Sequence, residues 1–400
     1  MPRWNMRILA LNYEFPPLGG GAGNATASIC NELAGLGCEV AVLTSHFSDL
    51  PRVEVRDGYT VHRVRVLRRQ VDQSSPLEMG SFAVAALAPA LGLARRFKPD
   101  VVHVYFGMPT GPVGLAVKRL IGRPYLLSLR GGDVPGFLPG ALGRLHTLTA
   151  PVSRWVWHEA SAIVGNSRGL RDLAQKSSPW REVEYVPNGI DLERYVPGPA
   201  AEPEGVFRLL FSGRLVEQKG VRYIIEALPA VQSALGRPVE LVVAGSGPIE
   251  ADLRAQAQAL GLGQSVRFLG WIERAGMPNL YSSADVFVFP SFEEGMPNVV
   301  LEAMASGLPL VATDIYGHRE LMTHEDNALL TPTADSAAIA AALIRLGREP
   351  ALRERLARRS RTRAEAFTWR NTAQTYLALS EAMLQPRPEP RGATADRPSE

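Results

Sequence analysis

Two cations, Arg214 and Lys219, stand in the run Ser212-Gly-Arg-Leu-Val-Glu-Gln-Lys-Gly220. The apolar stretch before it reads as a strand and Gly220 to Leu235 as a helix, which places the pair at a helix N-terminus beside unpaired backbone amides. That assembly suits a phosphate or diphosphate. The plain alternative is two surface cations near a turn. Composition weighs against it: Lys98, Lys118, Lys176 and Lys219 are the only lysines among 43 basic residues, so an ammonium at 219 departs from the chain's general use of arginine. A second run, Phe292-Glu-Glu-Gly-Met-Pro-Asn-Val-Val-Leu-Glu302, follows the predicted strand Val286–Phe289. Pro297-Asn298 opens a helix, with Glu294 in the loop before it and Glu302 in its first turns. Both carboxylates could reach one ligand over the helix start, where carboxylates suit vicinal sugar or ribose hydroxyls. The alternative is a capping acid and a solvated helix residue.

Glycines at Gly19, Gly20 and Gly21, after the first predicted strand, and at Gly245 and Gly247, after a later one, allow close approach of a ligand to the backbone. The dinucleotide fingerprint G-x-G-x-x-G cannot be laid on Gly19, Gly21 and Asn24, and no acid ends the strand Val40–Ser45, which argues against a nicotinamide enzyme. Gly165-Asn-Ser167-Arg-Gly169 matches a nucleophile elbow, with His318 or His324 and Asp285 or Asp314 as triad candidates. Ser167 at a helix start reads more simply as an N-cap, and no HGGG-type oxyanion loop accompanies it. His103 and the loop Arg130-Gly-Gly-Asp133 each end a predicted strand and are expected to face the ligand; for His103 the alternative is a histidine bonded to backbone. There is no Asp-x-Asp or H-E-x-x-H, and the seven histidines are scattered, so no metal site is expected.

The elements that must hold these residues follow from periodicity. Apolar runs at 7–11, 40–44, 61–66, 101–104, 125–129, 162–165 and 183–186 alternate with helical or Gly/Pro segments, as in a doubly wound α/β sheet. The pattern repeats after residue 206, with strands at 207–212, 241–244, 266–269, 286–289 and 310–313 and helices at 351–367 and 369–384. The expected domains are 1–195 and 207–367, a Pro/Gly-rich linker at 196–206, a final helix at 368–385 and a disordered tail at 386–400. Two such domains leave a cleft between the C-terminal ends of their strands, where these sheets bind ligands.

With 400 residues, 46% of them hydrophobic, the chain can build two cores of ordinary size. A net charge of +3 fits neither a dedicated nucleic-acid binder nor an acidic disordered chain. Residues 1–195 hold 22 basic and 16 acidic residues against 21 and 24 in the remainder, so the first half leans toward anionic surfaces. Arg63, Arg65, Arg68, Arg69, Arg95, Arg96, Lys98, Lys118, Arg119 and Arg123, with Trp155 and Trp157, permit peripheral contact with an anionic membrane; a solvated Arg-rich surface is the alternative. Cys30 and Cys38 read as reduced, buried thiols of a cytoplasmic protein. Neither a signal peptide nor a membrane span is expected, and Ser81 to Leu93 reads as a core-packed helix.

Taken together, the glycine loop at 19–21, Asp100-VVH, Arg-Gly-Gly-Asp133, Val186-PNGID, Ser212-GRLVEQKG, Gly245-SGP, the Glu294 to Glu302 spacing and Gly317-HRE320 resemble the family 4 retaining glycosyltransferases of GT-B fold, over roughly residues 6 to 384. The resemblance implies that Arg214 and Lys219 bind a donor diphosphate, Glu294 the donor sugar and Glu302 the ribose, with the loop Gly19, Gly20 and Gly21 against the phosphate and sugar. Gly245, Gly247, Gly295, Met296 and Asn298 are expected to complete the donor site, and His103 and Asp133, from their strand-end positions, to touch the transferred group or the acceptor. The resemblance also implies a last helix that crosses back to the first domain. Many members carry His-x-His where this chain has His103-Val104-Tyr105, which places a tyrosine where the second histidine stands. The expected activity is metal-independent transfer of a sugar, with retention, from a nucleoside-diphosphate sugar (UDP- or GDP-linked) to a hydroxyl on a glycan, lipid-linked or small-molecule acceptor. No cofactor and no nucleic acid are expected, and the expected location is cytoplasmic or peripheral at the inner membrane face. A nucleotide-sugar epimerase or hydrolase of the same fold, a non-catalytic nucleotide-sugar binder and a Ser167 hydrolase are the rivals.

Overall fold

A computed structural model describes residues 5–71, 74–137, 139–198 and 205–385. Part of the expected linker and the whole expected tail lie outside them. Two sheets form. The first has eight strands: β1 Arg7–Leu11, β2 Glu39–His46, β3 Val53–Arg56, β4 Tyr59–Arg65, β5 Val101–Tyr105, β6 Tyr125–Leu129, β7 Ala162–Gly165 and β8 Glu184–Tyr185, in the order β3-β4-β2-β1-β5-β6-β7-β8. The second has six: β9 Phe207–Ser212, β10 Val239–Ala244, β11 Val266–Gly270, β12 Val286–Phe289, β13 Leu310–Thr313 and β14 Ala328–Thr331, in the order β11-β10-β9-β12-β13-β14. All pairings are parallel except β3 with β4, a hairpin edge that the apolar runs do not announce because its exposed strand alternates. Residues of β5, β6, β12 and β13 are buried on both faces, as helix-covered parallel strands must be. Chain order reverses at β1 and at β9, which puts a crevice at the C-terminal end of each sheet.

The last helix, Trp369–Leu384, belongs to the first core, not the second: Trp369, Ala373, Tyr376 and Leu377 are buried in the cluster built on β1, β5 and β6. Its entry is fixed by backbone contact. Ile190 N donates to Phe367 O at 2.9 Å, and a Cβ on Gly189 would come within 2.1 Å of Trp369 N. Only glycine lets the 187–190 segment lie so close to the helix start.

The apolar stretch at 81–93 is not one core helix. It is split between the helices Pro76–Ala85 and Leu87–Phe97, bent by 42°, with Phe82, Ala90 and Leu93 buried but Leu77 and Val84 exposed. Among the described residues no single helix is long and apolar enough to cross a membrane. The expected basic surface is smaller than its sequence list. Arg63 is buried against Glu54 at 2.7 Å, Lys118 and Arg119 share Glu159, and Trp157 is buried while Trp155 is exposed. Cys30 and Cys38 are free and buried, and burial pushes their thiols up to about 12 and about 11.

Candidate active site

The cleft between the sheets is lined by the loops that leave β9, β10 and β12 on one side and β1, β6 and β7 on the other. On the second-domain side, Gly213 N donates to Ala244 O at 3.0 Å and Leu215 N to Ser246 O at 2.9 Å, so the loop after β9 is laced to the loop after β10. A Cβ on Gly245 or Gly247 would meet the carbonyl oxygens of Gly213 and Leu215 at 1.9 and 2.1 Å. Glycine at both positions is thus required by the neighbouring loop. Lys219 ends a short 3-10 turn, Glu217–Lys219, and Gly220 follows at φ +67 with Pro290 O where a Cβ would stand. Gln218 O accepts from Phe292 N at 2.8 Å, which ties the turn to the loop after β12.

That tie brings the predicted chemistry together. Lys219 Nζ donates to Glu294 Oε1, which also accepts from Ser291 Oγ at 2.6 Å, and the ammonium lies 5.2 Å from the centroid of the Phe289 ring. Both side chains are mostly buried, so the pair forms where the field of each is weakly screened. His318 closes the wall behind them. It is fully buried, its Nδ1 lies 2.8 Å from Thr313 O, and burial pushes its pKa down. Arg214 is exposed at the cleft, and its charge reaches Glu14 of the first domain.

Glu302 occupies a separate corner. It lies in the helix Asn298–Ala305, accepts from Tyr281 OH at 2.9 Å, and its carboxyl is raised by burial, an effect opposed by Tyr281 and by the charges of Arg274 and Arg194. Glu294 and Glu302 thus have separate partners, Lys219 and Ser291 for the first and Tyr281 for the second. No side chain caps that start, nor the start of the first-domain helix Gly21–Gly35, and the two ends meet: Asn298 Nδ2 donates to Gly21 O at 3.1 Å. Gly19, at φ +83, and Gly20 lead into this contact. Gly295 faces Asn166 and Ser167, and Met296 Sδ accepts from Asn188 N at 3.1 Å.

Several expectations are corrected. His103 does not face the cleft. It is fully buried under the crossing helix, its Nε2 is 2.8 Å from Ser380 Oγ, and its ring packs edge-on to Tyr376. Tyr105 is on the same covered face, stacked on Tyr376 with centroids 6.2 Å apart, so it does not stand in for a cleft histidine either. Asp133 is placed at the cleft floor but is fully engaged, accepting from Gly107 N, Arg130 N and Gly131 N at 2.6, 2.9 and 3.0 Å. It shapes two loops and is raised by burial, with these amides opposing the rise. Ser167 caps its helix, accepting from Leu170 N at 3.0 Å, which removes the elbow reading. Among the described residues no group of three or more His, Cys, Asp or Glu is placed to hold a metal ion.

Glu14, absent from the sequence candidates, lies under Gly19, whose Cβ position is 2.6 Å from its Oε2, and faces Arg68 at 3.9 Å. Burial raises its carboxyl. Its signal in the sequence is positional: it follows β1 directly and precedes the glycine loop.

Burial also pushes His103 down to about 3, from about 6.5 for a free histidine. The unfolded chain therefore takes up a proton below about pH 6.5 that the folded protein refuses until about pH 3, so stability falls as pH drops through that window. Urea midpoints at pH 7.5 and 5 are expected to diverge more for the wild type than for His103→Gln. Equal divergence would show that the buried imidazole contributes nothing to the acid sensitivity.

Two family profiles together span most of the chain. The profile described as Glycosyltransferase Family 4 matches residues 19–194 and that described as Glycosyl transferases group 1 matches residues 197–363. A glycogen synthase of Mycobacterium tuberculosis is 30% identical, covering 96% of this chain and 97% of its own, and a D-inositol 3-phosphate glycosyltransferase of Saccharomonospora viridis is 28% identical over 95% of each. Among solved structures, sucrose-phosphate synthase from Thermosynechococcus elongatus superposes with a TM-score of 0.78 at 22% identity, covering 95% of this chain and 99% of that one. Anabaena HepE in complex with UDP-glucose superposes with a TM-score of 0.72 at 20% identity, covering 94% and 100%.

Proposed function

The chain belongs to glycosyltransferase family 4, and from that premise we propose that it moves a sugar from a nucleoside-diphosphate donor to a hydroxyl acceptor with retention of anomeric configuration and without a metal ion. The observation that carries this reading is the Lys219–Glu294 pair, held against an uncapped helix start at the C-terminal end of β12. A departing diphosphate needs positive field that is in place before the bond breaks, and Arg214, Lys219 and the amides at Asn298 supply it. Glu294 holds sugar hydroxyls and Glu302, with Tyr281, the ribose. In the transfer the bond from C1 to the phosphate oxygen breaks and the bond from C1 to the acceptor oxygen forms on the same face. The acceptor proton passes to the leaving phosphate. HepE was solved with UDP-glucose on the same fold, which supports a donor of this class.

Thermal shift with UDP, GDP, ADP, dTDP and NAD, each with and without EDTA, tests the reading. One diphosphate is expected to raise the melting temperature equally with and without EDTA, since a ligand at about 100 times its Kd adds about 2.7 kcal/mol. A shift abolished by EDTA overturns metal independence; no shift with any diphosphate overturns the donor.

A further inference from the structure

A line of side-chain hydrogen bonds runs from the crossing helix to the glycine loop. Tyr376 OH, on that helix, lies 2.7 Å from Ser128 Oγ and accepts from Arg130 Nη2 at 3.2 Å. Arg130 Nη1 donates to Asn188 Oδ1 at 2.9 Å, Asn188 Nδ2 donates to Asn298 Oδ1 at 2.8 Å, and Asn298 Nδ2 donates to Gly21 O at 3.1 Å. Every donor from Arg130 onward points the same way. A guanidinium at the head polarises the first amide, which makes its NH2 a better donor to the second, and so on to the Gly21 carbonyl. The chain also fixes both amide orientations, because a flip of Asn188 would set its NH2 against the guanidinium. Arg130 itself is held by the Tyr105 ring, 5.1 Å from its guanidinium carbon.

We propose that Arg130 and Asn188 are positioning residues: they couple the seating of the crossing helix on the first domain to the alignment of the two uncapped helix ends at Gly21 and Asn298. The structural coupling stands on the contacts alone, and its effect on catalysis rests on the proposed transfer reaction. The second domain carries the cations and carboxylates assigned to the donor, so loosening the chain leaves donor binding nearly intact. What is lost is the approach of the glycine loop when the diphosphate departs.

Asn188→Asp separates this role from a merely structural one. The carboxylate keeps, and strengthens, the bond from Arg130, but it cannot donate to Asn298. Either that link breaks or Asn298 turns its NH2 toward Asp and abandons Gly21. Hydrogen exchange on the ligand-free protein is expected to accelerate about 3- to 10-fold at residues 18–26 and 296–301, the scale of one lost hydrogen bond, with the melting temperature retained. Tyr376→Phe, which removes one hydroxyl from the head of the chain, is expected to accelerate the same segments. Acceleration confined to residues 126–130 and 369–384, or none at 18–26 in either variant, overturns the coupling. In transfer assays Asn188→Asp is expected to lower kcat about 10-fold with donor KM within about twofold. A rise in KM alone overturns the catalytic half of the proposal, while failure of the wild type to bind any diphosphate is a failure of the donor assignment and leaves the exchange result to decide the coupling.

Discussion

Lys219→Ala is expected to lower turnover by about 10²–10³-fold, the usual cost of removing one charged group aimed at a developing anion. Lys219 is fixed by its 3-10 turn, by Gly220 against Pro290 O and by the Gln218–Phe292 tie, so its ammonium is already in place when charge builds on the leaving phosphate. Loss of the ammonium also leaves the Glu294 carboxylate with the Ser291 hydroxyl alone, which costs some stability. The double variant Lys219→Met with Glu294→Gln tests the stability part alone: its melting temperature is expected to recover relative to Lys219→Ala because no buried charge is stranded. Wild-type-like turnover in Lys219→Ala, measured at saturating donor, would remove Lys219 from the mechanism.

Gly317→Ala should cost activity with every charged group retained. A Cβ there would lie 2.3 Å from Glu294 O and 2.7 Å from Gly295 O, both backbone atoms that cannot rotate away. The loop must retreat by about 1 Å, and misplacement on that scale costs on the order of 10²-fold in rate. Gly80→Ala, where a Cβ meets nothing within 4 Å, is the matched control and should leave turnover unchanged. Equal turnover in the two variants would mean that Glu294 does not need its present position.

What the sequence revealed was local. Parallel strands buried on both faces must be apolar runs, and the residues that follow them must reach the crevice, so Lys219, Glu294, Asn298 and Gly21 could be placed from order alone. Contact between Lys219 and Glu294 was not legible, because nothing in either motif states that the 3-10 turn and the loop after β12 share a hydrogen bond. His103 was misplaced for a related reason. Strand alternation gives its face, but the cover on that face comes from Ser380, 277 residues later. Glu14 escaped notice because a lone acid after a strand has no motif, and its burial depends on Gly19 folding over it. Arg63 and Lys118 counted toward a basic surface in the sequence, yet each is neutralised by an acid that only the fold brings to it, Arg63 by Glu54 across the β3–β4 hairpin and Lys118 by Glu159 much later in the chain.

The crossing helix also sets an order of assembly on the ribosome. β5 and β6 are made early, but the faces bearing His103, Tyr105 and Ser128 are covered by Tyr376 and Ser380, which emerge only after the whole second sheet has been synthesised. Through most of translation the first domain therefore lacks the native cover of this face, which Trp369, Ala373, Tyr376 and Leu377 supply. The second domain's core also closes late, with Leu352, Leu356, Ala364 and Phe367, but it is complete before the crossing helix is made. The protein is thus finished from the middle outward, with its oldest segment sealed last.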